Sequence, residues 1–302
     1  MKRVYSNIAL LVTAMIWGSA FVAQSVGMDY VGAFTFQSIR SFLGAATLVP
    51  FILFSDGRKR RLGTYEPLDE AGKRQLLKGG VACGVMLTVA SLFQQIGIAY
   101  TTVGKSGFIT SMYLILVPIL GIFLHKRVPL KIWLCVAVAA AGLYFLSIHG
   151  AFVLSRGDTL TILCAFCFAI HILCVDHFVK QSDSVKLSFL QLLTSGVLSG
   201  VLMLAYDRPA PGAILAAAMP ILYAGILSSG VGYTLQVVGQ KGANPTTATL
   251  LMSLESVFSV LAGILILSQV PTLREGFGCL LIFTAVIVAQ LPVWEGKAPQ
   301  AA

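Results

Sequence analysis

A chain of 302 residues that is 57 % hydrophobic and 11 % charged, with a mean hydropathy of +0.87, is not an ordinary soluble domain, in which about 25 % of residues are charged. It reads as an all-α protein embedded in a lipid bilayer, which excludes soluble enzymes, DNA binders and secreted modules. The net charge of +9 gathers on one side of the expected spans, so it speaks for membrane orientation and not for nucleic acid.

A spanning helix needs roughly 20 mostly apolar residues, and with short connections this length accommodates about ten. Apolar runs predict spans at 6–26, 31–54, 79–100, 105–124, 130–149, 157–179, 185–205, 217–240, 245–267 and 272–291. The largest polar stretch, 55–78, falls short of the roughly 40 residues a domain needs to fold unaided. With the N-terminus in the cytoplasm, sixteen of the 21 Lys and Arg residues lie on that side. Lys105, Arg156, Arg208 and Arg274 lie on the other, and Arg40 falls within a span. This bias predicts both termini cytoplasmic, in the cell inner (plasma) membrane. The apolar start is too long for a cleaved signal peptide, whose h-region is about 7–15 residues. All six cysteines lie within predicted spans, and Cys164 and Cys167 read as packing residues because no second pair or polar ligand flanks them.

The halves repeat each other. A shift of 142 lays 94–129 over 236–271 without a gap, matching Gln94 with Gln236, Gly97 with Gly239, Ser111 with Ser253, Gly121 with Gly263 and Pro129 with Pro271. Nearer each start, a shift of 151 places Trp17 over Phe168 and Arg40 over Gln191. Each half then reads as five spans. An odd number makes the second half enter the membrane from the opposite side, so the repeats are inverted, an arrangement shared by many secondary transporters with substrate bound between the repeats.

Trp17-Gly18-Ser19-Ala20-Phe21-Val22-Ala23, Arg40, the run from Gln95 to Thr102 and the run from Ser253 to Gly263 resemble the EamA family of the drug/metabolite transporter superfamily over about residues 5–291. The resemblance implies ten helices in two EamA repeats, residues 1–150 (helices 1–5) and 151–302 (helices 6–10). It further implies movement of small metabolites by alternating access. The chain departs from the family where many members carry Gly-Glu before the last helix: here stand Ser268-Gln269 and, in the first half, Lys126-Arg127.

Ionisable groups at depth are costly and ask for a partner or a wet cavity. Glu255 and Arg40 both fall near the middle of their spans, and the 142 shift superposes Glu255 on Tyr113. Glu255 then reads as a proton carrier or cation contact beside the Tyr113 hydroxyl, or as a packing residue bonded to a neighbouring helix. Arg40 reads better as structural, pairing with carbonyls or snorkelling. Gln94, Gln95 and Gln236 can donate and accept, which suits a zwitterionic ligand or plain interhelical bonds. Trp17 is too deep for an interfacial aromatic and is a cavity or core residue. His171 is a candidate for the cavity. His171, Asp176 and His177 do not make a metal site, because ligands on one helix need spacings of three or four.

Gly80 with Gly84, and Gly196 with Gly200, allow close helix approach, while Pro118 can kink its span. Pro129, Pro245 and Pro271 start helices. No Walker motif or phosphate-binding glycine loop occurs, so the drive is not ATP hydrolysis and no cofactor or metal is read from the chain. The reading is a secondary transporter of small organic metabolites such as amino acids. Its partners are a small-molecule substrate, the bilayer and protons as coupling ion. The alternative is an intramembrane enzyme acting on lipid-linked substrates, which would need a clustered nucleophile, base or metal set in place of scattered single groups.

Overall fold

The computed structural model describes residues 2–101, 103–125, 128–148, 155–267 and 272–291. The first half contains α1 (Lys2–Gly27), α2 (Ala33–Arg61), α3 (Glu70–Ile98), α4 (Val103–Thr110), α5 (Tyr113–Phe123) and α6 (Leu130–Ser147). In the second half are α7 (Arg156–Val179), α8 (Ser184–Leu202), α9 (Pro211–Ala216), α10 (Ala218–Leu222), α11 (Tyr233–Gly242), α12 (Pro245–Met252), α13 (Glu255–Leu267) and α14 (Leu273–Gln290). Two π-helical segments, Met203–Asp207 and Tyr223–Gly232, extend α8 and join α10 to α11. Among the described residues there is no strand, and nine helical stretches of 18 to 29 residues are long and apolar enough to cross a bilayer, with a shorter apolar one at Leu130–Leu146.

Local chemistry sets the helix starts. Asp69 accepts from the Gly72 N–H, so α3 begins nine residues before the apolar run does. In the opposite direction α2 continues past its apolar run into Arg58–Arg61, where cations face the negative end of the helix dipole. The polar stretch 55–78 therefore consists largely of helix ends. Reciprocal capping boxes, Ser155 with Asp158 and Thr272 with Glu275, open α7 and α14. Pro245 stands at the first turn of α12 behind an Asn244 cap, as the sequence suggests. Pro271, Ser268-Gln269 and Lys126-Arg127 lie outside the described residues.

Packing is reciprocal between the halves. The α3 helix lies on α7, and its counterpart in the repeat, the run through Tyr223–Gly232 and α11, lies on α1; α2 lies on α8, and α6 on α14. Exchange of this kind is what a two-fold relation between equivalent parts produces. The α6–α14 pair runs antiparallel: Lys131 Nζ donates to the Leu291 carbonyl at one end, at 2.5 Å, and the Arg274 guanidinium sits 5.4 Å from the Tyr144 ring centre at the other. Gly196 lies against Phe42 and Gly80 against Leu190, so the small-residue stripes are places of close helix contact.

The cations expected on the cytoplasmic side meet at one end of the bundle. Lys186 pairs with Asp56 at 2.8 Å, Lys59 with Asp183 at 3.9 Å, and Lys241 Nζ donates to the Ser182 carbonyl at 3.1 Å. These bonds tie the end of α2 to the start of α8 and the end of α11. At the other end Asp207 accepts from both the backbone N–H and the hydroxyl of Thr35, at 2.7 and 2.9 Å, joining the end of the seventh span to the start of α2.

Candidate functional site

Spans four and nine are both broken, and the breaks coincide under the 142 shift. One lies at Ser111–Met112, between α4 and α5, and the other at Ser253–Leu254, between α12 and α13. Backbone bonds at the two breaks correspond. Met112 N–H reaches the Ile109 carbonyl as Leu254 N–H reaches that of Leu251, and Leu114 N–H reaches Ser111 as Ser256 N–H reaches Ser253. These are tight i→i−3 turns. Pro118 lies inside α5, away from the break, so proline is not the cause; a serine occupies the same place in both halves.

Each break delivers a polar side chain to the first position of the following half-helix, Tyr113 on α5 and Glu255 on α13, and the two meet. Tyr113 Oη donates to Glu255 Oε1 at 2.9 Å, Ser111 Oγ donates to the same oxygen at 3.1 Å, and Ser111 and Ser256 hydroxyls lie 3.0 Å apart. Glu255 is 2 % exposed. Its position at the N-terminus of α13 also places the carboxylate where the helix dipole favours negative charge.

Around this pair lies a central cavity of about 30 Å³ lined by Trp17, Gln94, Tyr113, Gln236 and Glu255, together with Gln24, Arg40, Thr110, Ser228, Tyr233 and four apolar residues. The volume holds about one or two water molecules, whereas a cavity that admits benzene measures about 150 Å³. A cavity of this size is too small for an organic metabolite.

Gln94 Nε2 donates to Thr110 Oγ1 at 3.2 Å, while Gln236 Oε1 is buried without a partner among the described residues. Trp17 packs against Tyr233 with ring centres 4.9 Å apart and planes tilted by 58°, and donates through Nε1 to the Ser228 carbonyl at 3.2 Å. That carbonyl belongs to the π-helical segment Tyr223–Gly232. Gln95 and His171 are not among the lining residues. Gln95 Nε2 donates to the Gln24 carbonyl at 3.1 Å, and His171 Nε2 lies 3.0 Å from Gln191 Oε1 with its ring edge-on to Tyr233. Among the described residues no group of three His, Cys, Asp or Glu side chains could hold a metal.

The cavity also takes residues that the sequence did not single out. Tyr233 lies one helical turn before Gln236, on the same face, and the 142 shift sets it over Ser91; that spacing is the signal that could have found it. Arg40, read from the sequence as structural, lines the cavity. Its Nε donates to Gln37 Oε1 at 2.7 Å, and its Nη2 is buried with no partner among the described residues.

Broken helices meeting at a polar centre inside a multi-pass bundle of two related halves define a transporter-type membrane fold. The EamA-like transporter family model matches residues 4–148 and again 155–290, and the chain belongs to that family, within the drug/metabolite transporter superfamily. It is 29 % identical over 302 residues to an uncharacterized transporter of Archaeoglobus fulgidus, covering 97 % of this chain and 88 % of that one. A solved crystal structure shares the fold at a TM-score of 0.75 and 15 % identity, over 94 % of this chain and 96 % of the other.

Proposed function

We propose that this chain is a ten-span secondary transporter of small polar organic metabolites such as amino acids, built from two inverted five-helix repeats at 1–150 and 151–302. In this reading it works by alternating access at the cavity of Trp17, Gln94, Tyr113, Gln236 and Glu255. Gln95 and His171 support that cavity from behind through the Gln24 carbonyl and Gln191.

The observation that carries the reading is the set of buried polar atoms on cavity-lining residues that no group among the described residues satisfies, Gln24 Oε1, Gln236 Oε1 and Arg40 Nη2. Buried polar groups are nearly always paired, and unpaired acceptors and a donor around one cavity suit a ligand that bears both a cation and an anion. Glu255 serves as the coupling group, exchanging a proton for the amino group of the substrate.

Purified protein in proteoliposomes is expected to take up labelled amino acids without ATP. Absence of uptake and of counterflow across a panel of amino acids, quaternary amines and nucleosides would overturn the reading. The orientation rests on the basic end of the bundle: both termini face the cytoplasm, in the inner membrane. A periplasm-dependent reporter inserted in the 55–78 connection is then expected to be silent, and activity there would reverse the topology.

A further inference from the structure

We propose that Arg40 is the docking group for a carboxylate of the transported molecule, which restricts the substrates to small molecules bearing a free carboxylate, amino acids among them. The inference rests on reading the central cavity as the transport site and deepens it.

Arg40 is 2 % exposed on α2 and lines the cavity. Among the described residues no carboxylate pairs with it. Its direct partners are neutral: Gln37 Oε1 accepts from its Nε at 2.7 Å, and the Phe36 ring centre lies 5.8 Å from Cζ. Gln37 is itself held, because its Nε2 donates to Ser195 Oγ at 3.0 Å and to Ser41 Oγ at 3.2 Å. The guanidinium is therefore fixed from its Nε side by a bonded chain reaching α8, while Nη2 has no partner.

An arginine keeps its charge in proteins, and a buried charge without a counter-charge is costly. A fold that positions such a group beside a cavity and leaves a donor free has the geometry for an anion that arrives and leaves. The planar guanidinium fork matches a carboxylate in two parallel hydrogen bonds. A phosphate would bring about −1.5 to −2 charges, and the lining supplies no second Lys or Arg to meet them. The acceptors Gln24 Oε1 and Gln236 Oε1, buried without a partner among the described residues, belong to residues that line the same cavity as Glu255, and they suit the amino end of the same molecule.

The test uses the full-length protein in two assays. Proteoliposome uptake compares each amino acid of a neutral panel with its carboxamide and its decarboxylated amine, and thermal stabilisation in detergent measures binding of the same compounds. Wild type is expected to prefer the acid by at least on the order of 30-fold, the scale set by truncating one partner of a buried charge pair. Arg40→Gln is expected to lose that preference and Arg40→Lys to keep part of it. Equal transport of acid and carboxamide by wild type would overturn the carboxylate assignment while leaving the transport reading intact. Acid-specific stabilisation that Arg40→Gln abolishes, without uptake of any compound, would uphold the assignment and overturn the transport reading. Neither preference nor uptake would overturn both. Should Arg40→Gln fail to fold, the acid and carboxamide comparison on wild type decides alone.

Discussion

Glu255→Gln is expected to yield a folded transporter whose flux no longer responds to pH. The substitution keeps the size of the side chain and can still accept from the hydroxyls of Tyr113 and Ser111, which now converge on Oε1, but it removes the proton. Wild-type counterflow is expected to change across about pH 5.5–8, the range in which a coupling acid or base must gain and lose its proton. Under an imposed gradient, wild type should move substrate toward the acidic compartment, because each proton taken up there displaces a substrate. In Glu255→Gln the same gradient should drive no accumulation. Tyr113→Phe gives the companion measurement: it removes one donor, leaves the carboxyl able to titrate, and should shift the pH profile without flattening it. The titratable groups facing the same cavity are Arg40, Tyr113 and Tyr233. Wild type and Glu255→Gln showing equal, pH-independent rates would end the coupling role.

The meeting of Tyr113 with Glu255 was foreshadowed by the internal repeat, because the two positions coincide under the 142 shift. The same shift pairs Ser111 with Ser253, where both helices break, but the breaks themselves were not legible, since a tight i→i−3 turn leaves the apolar pattern of a span unchanged. Adjacent glutamines defeated the sequence for a simpler reason. Gln94 and Gln95 lie about 100° apart around the helix, and only packing decides which reaches the cavity. His171 is polar at depth in the way a cavity residue is, yet Gln191 on another helix meets it, a pairing that no local spacing encodes. Ser228 was missed because the π-helical segment Tyr223–Gly232 re-phases the helix, and a 3.6-residue period does not follow that change; Tyr233, on α11 one turn before Gln236, was within reach of that spacing. The ends of α2 and α3 lie beyond their apolar runs because caps and dipole, not hydropathy, set where a helix stops.

Gly18→Val is expected to abolish transport by separating α1 from α13. A Cβ at Gly18 would stand 2.6 Å from the Glu255 carbonyl oxygen, 2.7 Å from Phe258 Cβ and 2.8 Å from the Ser259 nitrogen. Two of these three are backbone atoms of the half-helix that carries Glu255, so no side chain can turn aside to make room. Overpacking of this kind costs about 1–3 kcal/mol when the surroundings relax, and the rigid neighbours place Gly18→Ala toward the upper part of that range, with Gly18→Val beyond it. The strain acts on the site itself. Moving α1 outward shifts Trp17 from its contacts with Tyr233 and Ser228, and moving α13 shifts the Glu255 carboxyl from Tyr113 and Ser111. Gly212 supplies the control, because a Cβ there meets nothing within 4 Å. Thermal unfolding in detergent and proteoliposome uptake should therefore rank wild type and Gly212→Ala together, Gly18→Ala below them and Gly18→Val without activity. Full uptake by Gly18→Val would show that α1 does not need this closeness to α13, and would detach the Trp17-Gly18 pair from the geometry of the cavity.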